Sequence, residues 1–387
     1  WQGPGRPNRL DFAMPVRWIP AAPGDRLQDI DTPALILDLD PFEANLERMR
    51  EAAASCHVRV RPHAKSHKCP EIARRQLAAG GVGICCQKVG EAEAFLAREI
   101  ENVLITNEVV GERKLRRLAQ VACQYPSARL GVCVDDLDVV ERLGARCVAD
   151  EARLDVYVEL DVGQNRTGVA TPAKVVELAR AIVACPRLTF MGLHAYAGSA
   201  QHCRGVSERR TAIEAAARKA DEARAALGAV GVPCAIVTGG GTGTFTYEAG
   251  SQVYNEVQPG SYVLMDTDYA RNEYDPSVPR FDQALFLLAT VMSLRGERAT
   301  LDAGLKAFST DSGLPAPAFA GWQVANVSDE HTVLHRIGPG LSIELGDKVL
   351  LIPSHCDPTV NLHDWFVAVR QGTVEAVWPV DARGAMF

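Results

Sequence analysis

The 387-residue sequence predicts an α/β protein with an N-terminal (β/α)8 TIM-type barrel and a C-terminal, mainly antiparallel β domain. Short apolar runs of strand type alternate with apolar-periodic helices as far as residue 282. There are eight such units, with strand starts about 20 to 45 residues apart. From about Gln283 the alternation stops, and short strands follow one another between Gly, Pro and Asp turns. The apolar runs of the first part each end in polar residues, as the functional mouth of a barrel does. A doubly wound sheet is the competing architecture, and the count of eight favours the barrel.

Taken in order, residues 1–28 read as a flexible leader, because Trp1 to Asp11 are rich in Gly, Pro and Arg and lack the apolar core of a secretory signal. A strand is expected within 29–40, where Asp31 to Asp38 reads Asp-Thr-Pro-Ala-Leu-Ile-Leu-Asp, and it is expected to pair into the β domain. Pro41 should open a helix reaching Arg50, with Phe42, Leu46 and Met49 at helical spacing. The barrel is expected over 41–282. Its strands are His57–Arg61, Gly83–Cys86, Val103–Thr106, Leu130–Val134, Leu154–Leu160, Thr189–His194, Ala235–Thr238 and an eighth near Glu256–Val263. Helices fit between them at Pro70–Ala79, Gly90–Arg98, Glu112–Cys123, Asp136–Leu143, Pro172–Ala184 and Ser207–Val230. The β domain, 283–387, should contain Ala284–Val291, Ala299–Leu301, Val333–Ile337, Lys348–Ile352, Trp365–Val369 and Val374–Val377.

The chemistry centres on Arg61-Pro-His-Ala-Lys65-Ser-His-Lys68, between the first barrel strand and a helix with Pro70 in its first turn. Lys65 thus falls at the C-terminal end of a strand, where barrels place catalytic groups. A lysine there can form a Schiff base with a carbonyl or an aldehyde cofactor. Thr238-Gly-Gly-Gly-Thr-Gly-Thr244 follows the seventh strand, and bare glycine N–H groups with threonine hydroxyls suit a phosphate. It is neither a Walker loop nor a dinucleotide fingerprint, since no Gly-Lys-Ser/Thr and no Gly-x-Gly-x-x-Gly is present there. Gln258-Pro-Gly-Ser-Tyr262 could add donors to the same phosphate. In Pro353-Ser-His-Cys-Asp-Pro-Thr359, Pro358 biases Asp357 toward extended backbone. His355 and Asp357 would then share one side and Cys356 the other, giving an N/O ligand pair that favours Mn²⁺ or Mg²⁺ over Zn²⁺. Asp329-Glu-His331 is a further acidic loop, and His363-Asp364 a weaker metal candidate.

Bulk composition narrows the partners. A net charge of −7 argues against nucleic acid. No run of about 18 apolar residues would span a membrane. Eleven scattered cysteines, an odd count, point to free thiols in a reducing intracellular compartment, cytoplasmic or organellar.

The motifs at Arg61–Lys65, Gly83–Lys88, Asp161–Arg166, Thr238–Gly243, Gln258–Tyr262, Asp302–Lys306 and His355–Thr359 together resemble the D-threonine aldolase family, in order, from about Asp31 to Arg383. That family has the alanine-racemase-type pyridoxal-phosphate fold, and 3-hydroxy-D-aspartate aldolase and D-serine dehydratase are close relatives. The resemblance implies Lys65 as the residue that holds pyridoxal 5'-phosphate. Thr238, Gly240, Gly241, Thr242, Gly260, Ser261 and Tyr262 would surround the phosphate. Arg166 would face the phenolic oxygen, with Gln87 and Tyr196 lining the pocket. His355 and Asp357 would hold a divalent metal, and the proton acceptor would be either a metal-held hydroxide or a histidine such as His194. The implied activity is retro-aldol cleavage of a D-3-hydroxy-amino acid to glycine and an aldehyde. The implied assembly is a homodimer, in which Asp329 reaches the partner's site. Dehydratases of this scaffold carry His-x-Cys where this chain has His-x-Asp. The competing readings are such a dehydratase, a non-catalytic pyridoxal-phosphate carrier, which would resemble the barrel alone, and a cofactor-free metal hydrolase.

Overall fold

The computed structural model describes residues 18–387. Of the leader expected over 1–28, residues 1–17 lie outside the described residues. The rest runs along the β domain, where Gly24 and Leu27 donate their N–H groups to the carbonyls of Val374 and Gly372.

The first strand, β1 (Ala34–Asp38), is almost fully buried. It lies between strands of the C-terminal half, antiparallel to one and parallel to another. Helix α1 (Leu39–Ser55) leads from it to the barrel. The Asp38 carboxylate accepts the Asp40 N–H, so the helix begins before Pro41 and carries the proline in its first turn, where no N–H is needed. It also runs past Arg50, because Glu51-Ala-Ala-Ala-Ser55 contains nothing that stops it.

Eight parallel strands follow: β2 (Arg59–Val60), β3 (Ile84–Cys86), β4 (Asn102–Glu108), β5 (Arg129–Val134), β6 (Leu154–Glu159), β7 (Leu188–His194), β8 (Ile236–Gly239) and β9 (Glu256–Val257). Their order is β2-β9-β8-β7-β6-β5-β4-β3, and a parallel bridge between His63 and Cys85 joins the two ends. The connecting helices are α2 (Pro70–Ala78), α3 (Val89–Leu96), α4 (Glu112–Gln124), α5 (Leu137–Asp150), α6 (Pro172–Ala184), α7 (Val206–Ala229) and the short α8 (Phe245–Gly250). Local chemistry sets their starts. Asp136 caps α5 through the Val139 N–H, while Thr171 and Pro172 open α6. α5 continues beyond the expected Leu143 to Asp150, and its Gly144 packs against Cys185; a Cβ there would lie 3.1 Å from the thiol sulfur. The eighth strand is shorter than expected. After Val257 the chain turns at Gln258-Pro-Gly into a 3-10 turn, Ser261–Val263.

After the single-turn α9 (Thr267–Ala270) comes the β domain: β10 (Leu285–Arg295), β11 (Arg298–Leu301), β12 (Ala316–Pro317), β13 (Trp322–Val327), β14 (Thr332–Arg336), β15 (Lys348–Ile352), β16 (Trp365–Arg370) and β17 (Thr373–Pro379). The sheet runs β13-β14-β11-β10-β1-β16-β17, with β15 also on β10 and β12 on β15. β10 bends at a bulge between Val291 and Ser293, which lets one strand serve both halves of the domain. β13 has no counterpart among the expected strands. It is a bulged edge strand with half of its residues exposed, so it lacks a clear apolar alternation. Residues Cys356–Val360 form a helical turn, α10, where an extended segment was expected. The buried Asp266 carboxylate takes the Cys356 N–H at 2.9 Å and starts the turn. Pro358 fits within its first residues, where the missing N–H is no loss.

One apolar cluster joins the two domains. It includes Leu35, Phe42, Ile72, Tyr262, Phe366 and Trp378. The barrel and the β domain are therefore held face to face at the C-terminal mouth of the strands.

Candidate functional site

At that mouth is a cavity of about 260 Å³. The chain leaves β2 through Pro62 and His63 and makes a 3-10 turn, Ala64–Ser66, that lifts Lys65 into it. The His63 ring stabilises the turn, as Nδ1 accepts the Lys65 N–H at 3.3 Å. Its Nε2 lies 2.9 Å from the Thr106 hydroxyl and 2.9 Å from the Gln87 amide. Burial holds this imidazole well below its ordinary pKa, so it is a neutral structural link between β2, β3 and β4. Gln87 is anchored from behind. Glu91 Oε2 accepts the Gln87 N–H at 2.6 Å, and Lys68 Nζ pairs with Glu91 Oε1 at 2.6 Å. His67 does not reach the cavity. It bonds Gln76 and the Cys69 N–H, and burial pushes it down to about 4.

Lys65 Nζ lies 2.8 Å from Asp357 Oδ2, which α10 presents from the β domain. The side chain of Lys65 is 40% exposed and lines the cavity. The Asp357 charge raises the lysine well above the usual range. Burial by itself would raise Asp357, but the adjacent Lys65 charge works against it and the carboxyl is held low. His355 stands behind Asp357, and its Nδ1 lies 2.7 Å from Asp311 Oδ2. A carboxylate on Nδ1 fixes the tautomer that leaves Nε2 as a lone-pair donor, the arrangement found behind metal-ligating histidines. The donor set of His355 and Asp357 therefore fits a divalent cation, even though a helical turn presents it. Asp311 was absent from the sequence reading, since nothing local to Ser309–Asp311 marks it.

Across the cavity, β8 ends in the glycine loop. Gly241 and Thr242 line the cavity together with Gly260 and Ser261 from the neighbouring turn. The N–H groups of Gly241, Thr242 and Gly260 donate to no acceptor among the described residues. A Cβ on Gly241 would come 2.6 Å from the Gln201 side chain, and one on Gly260 would come 2.9 Å from the His63 carbonyl. Bare backbone with free donors, which no larger residue could line, fits a phosphate. Gly240 takes φ +79° to make the turn, over the buried Glu248. Tyr262 contributes by backbone: its N–H donates to the Thr242 hydroxyl at 3.1 Å, while its ring is buried against Phe281. Thr238 lies beneath the lining and bonds Gln258 at 2.9 Å.

Arg166, His194 and Tyr196 close the remaining wall. Of the polar strand ends, Gln87, Arg166, His194 and the glycine loop meet at the cavity, whereas Asn107, Asp135 and Asp161 do not line it. Gln258, the first residue of the Gln258–Tyr262 motif, also lines it, as do Thr106 and Tyr269, for which the sequence suggests no role. Asp329 is exposed in the turn before β14 and is not part of this lining. His363 is half-buried, with Nε2 2.7 Å from the Ala307 carbonyl.

A family profile described as alanine racemase, N-terminal domain, matches residues 37–268, and one described as putative serine dehydratase domain matches residues 284–369. A D-threonine aldolase of an Arthrobacter species is 48% identical over 94% of this chain and 96% of its own length. The chain belongs to the D-threonine aldolase family. Family members are carbon–carbon lyases on an alanine-racemase-like scaffold that uses pyridoxal phosphate. A 3-hydroxy-D-aspartate aldolase of Paracoccus denitrificans is 45% identical over 95% of each chain. The crystal structure of the D-threonine aldolase of Filomicrobium marinum superposes with a TM-score of 0.92 at 48% identity, covering 95% of this chain and all of that one.

Proposed function

We propose that this protein cleaves D-threonine and related D-3-hydroxy-amino acids to glycine and an aldehyde, with pyridoxal 5'-phosphate and a divalent metal. The observation that carries this reading is the meeting of Lys65, Asp357 and the glycine loop in one cavity. The names of the Arthrobacter D-threonine aldolase and the Paracoccus 3-hydroxy-D-aspartate aldolase supply the substrate class.

Lys65 would hold the cofactor. The N–H groups of Gly241, Thr242 and Gly260 and the Ser261 hydroxyl would hold its phosphate, with Thr238, Gly240 and Tyr262 shaping the loop behind them. Arg166 would face the phenolic oxygen, and Gln87 and Tyr196 would confine the ring. Bound pyridoxal phosphate supplies an electron sink for a carbanion at the substrate's Cα. His355 and Asp357 would hold Mn²⁺ or Mg²⁺, a Lewis acid for the β-hydroxyl. Asp311 would orient His355 for that purpose. Both nitrogens of His194 face protein groups, Glu159 and Gln258, so His194 serves better as a fixed wall than as the proton acceptor. Asp329 would serve in a homodimer, at the partner's cavity.

The match of residues 284–369 to a serine dehydratase profile favours one second reading, a dehydratase that forms a keto acid and ammonia. The aspartate of His355-x-Asp357 speaks for the aldolase. One assay separates them: purified protein with D-threonine, with and without chelator, under continuous visible spectroscopy. A cofactor band with acetaldehyde and glycine release, lost to chelator and restored by Mn²⁺, supports the aldolase. Ammonia without aldehyde supports the dehydratase, and no band at all defeats both.

A further inference from the structure

Behind the Arg166–His194 wall, at the end of β6, lies a carboxylate with no role in the reading above. Glu159 is 5% exposed and does not line the cavity. Its Oε1 accepts the Thr167 hydroxyl at 2.7 Å and lies 3.9 Å from the Arg166 guanidinium. Its Oε2 lies 3.2 Å from Nδ1 of His194, at the end of β7. Both of these atoms are buried and neither has an aligned hydrogen bond among the described residues. On the far side of the ring, Nε2 meets Gln258 Oε1 at 3.1 Å. An oxygen acceptor thus faces each ring nitrogen, and the imidazole form that suits both is the one carrying two protons.

Two further groups approach. Burial and the adjacent Glu159 raise Glu108 above the carboxylate range, while His194 outweighs burial at Glu159 and holds it low. Neighbouring carboxyls cannot both ionise in a buried place, so Glu108 keeps a proton and Glu159 carries the charge. The Cys133 sulfur also lies within 4.8 Å of a Glu159 oxygen and a His194 nitrogen, a grouping that could hold a metal. Burial pushes that thiol well up, however, and the Glu159 oxygen already faces the ring. An ion pair describes the cluster better than a metal site does.

We propose that Glu159 is a positioning residue: from outside the cavity it fixes the orientation and positive charge of His194 and draws Arg166 to the same wall. This rests on the cavity being the cofactor site. It assigns Glu159 no contact with cofactor or substrate.

The test compares wild type with Glu159→Gln and Glu159→Asp. The first readout uses cofactor-free protein: ¹⁵N–¹H spectra of the histidine rings at neutral pH, with the His194 signal identified by its loss in His194→Gln. The expected wild-type pattern is an imidazolium, which becomes a neutral tautomer in Glu159→Gln and returns in Glu159→Asp. The second readout uses the loaded enzyme. In Glu159→Gln, kcat for D-threonine falls about 10- to 100-fold, as expected for a misplaced wall. KM changes less than about threefold, and the cofactor absorbance maximum shifts. A neutral His194 ring in wild type overturns the proposal even if the variants fail to fold. So do wild-type ring signals and kinetics in Glu159→Gln. A metal retained by cofactor-free, chelator-treated wild type and lost in Glu159→Gln would overturn it in favour of a site at Cys133. If wild type neither binds the cofactor nor cleaves D-threonine, the functional reading fails, while the ring spectra still decide the Glu159–His194 pairing.

Discussion

Asp357, from the β domain, sits 2.8 Å from Lys65 of the barrel, so each domain neutralises a charge that the other buries. An ammonium held by a carboxylate is not a nucleophile. The pair therefore describes a site in which a competing cation on Asp357 would release the amine. Two variants separate the proposed roles. Lys65→Ala should lose the absorbance of lysine-linked cofactor together with activity. Asp357→Asn should keep the absorbance, lose at least about 100-fold in aldehyde release and no longer respond to Mn²⁺. A normal lysine-linked band in Lys65→Ala would remove the cofactor assignment.

Asp311 supports His355 through one contact of 2.7 Å. Losing such a partner usually weakens metal binding about 10- to 100-fold. Asp311→Asn should therefore need correspondingly more Mn²⁺ to recover activity after chelation, with the activity at saturation largely restored. An unchanged Mn²⁺ midpoint would mean that His355 does not bind the metal.

Gly260 passes so close to the lysine turn that an added Cβ would lie 2.9 Å from the His63 carbonyl. That neighbour is backbone and cannot swing aside. Gly260→Ala should destabilise the protein by about 1 to 3 kcal/mol, the usual cost of overpacking. It should also weaken cofactor binding more than Gly250→Ala does, where the added Cβ meets nothing within 4 Å. Denaturant unfolding and cofactor titration of the two variants check this; equal effects would deny Gly260 a place in the cradle.

Much of this arrangement is legible from local sequence, and the rest is missing for identifiable reasons. Helix α6 is bounded as Pro172–Ala184 by its cap and proline, both visible in the sequence. The cavity groups Lys65, Gln87, Arg166 and His194 announce themselves as polar residues at the ends of barrel strands, and Gly241 and Thr242 as part of a glycine-rich loop after one. The conformation of His355–Asp357 was misread, because the residue that starts its helical turn, Asp266, lies 90 positions away. Asp311 and Glu159 were missed for the same reason. Each acts through a tertiary contact with a histidine that belongs to another element. β13 was missed because an exposed edge strand needs no apolar alternation.

Glu248 gives a pH-dependent prediction that is independent of the cofactor chemistry. Its side chain is buried beneath the glycine loop, with Oε1 bonded to the Thr244 hydroxyl at 2.9 Å and Oε2 without a partner among the described residues. Burial raises its pKa from 4.5 to about 7. Below pH 4.5 the carboxyl is protonated in both folded and unfolded chains and contributes no pH dependence. Between 4.5 and about 7 the unfolded chain has lost the proton and the folded chain has kept it, so stability falls as pH rises. Above about 7 both states are ionised and the loss is complete. At about 1.4 kcal/mol per unit the total is about 3 kcal/mol. Glu248→Gln cannot ionise. Its stability relative to wild type should therefore rise by about 3 kcal/mol between pH 4.5 and pH 8, whatever the offset at low pH. Urea unfolding of cofactor-free wild type and variant across that range measures the difference directly. Parallel stability profiles would show that Glu248 is ionised, or solvated, throughout.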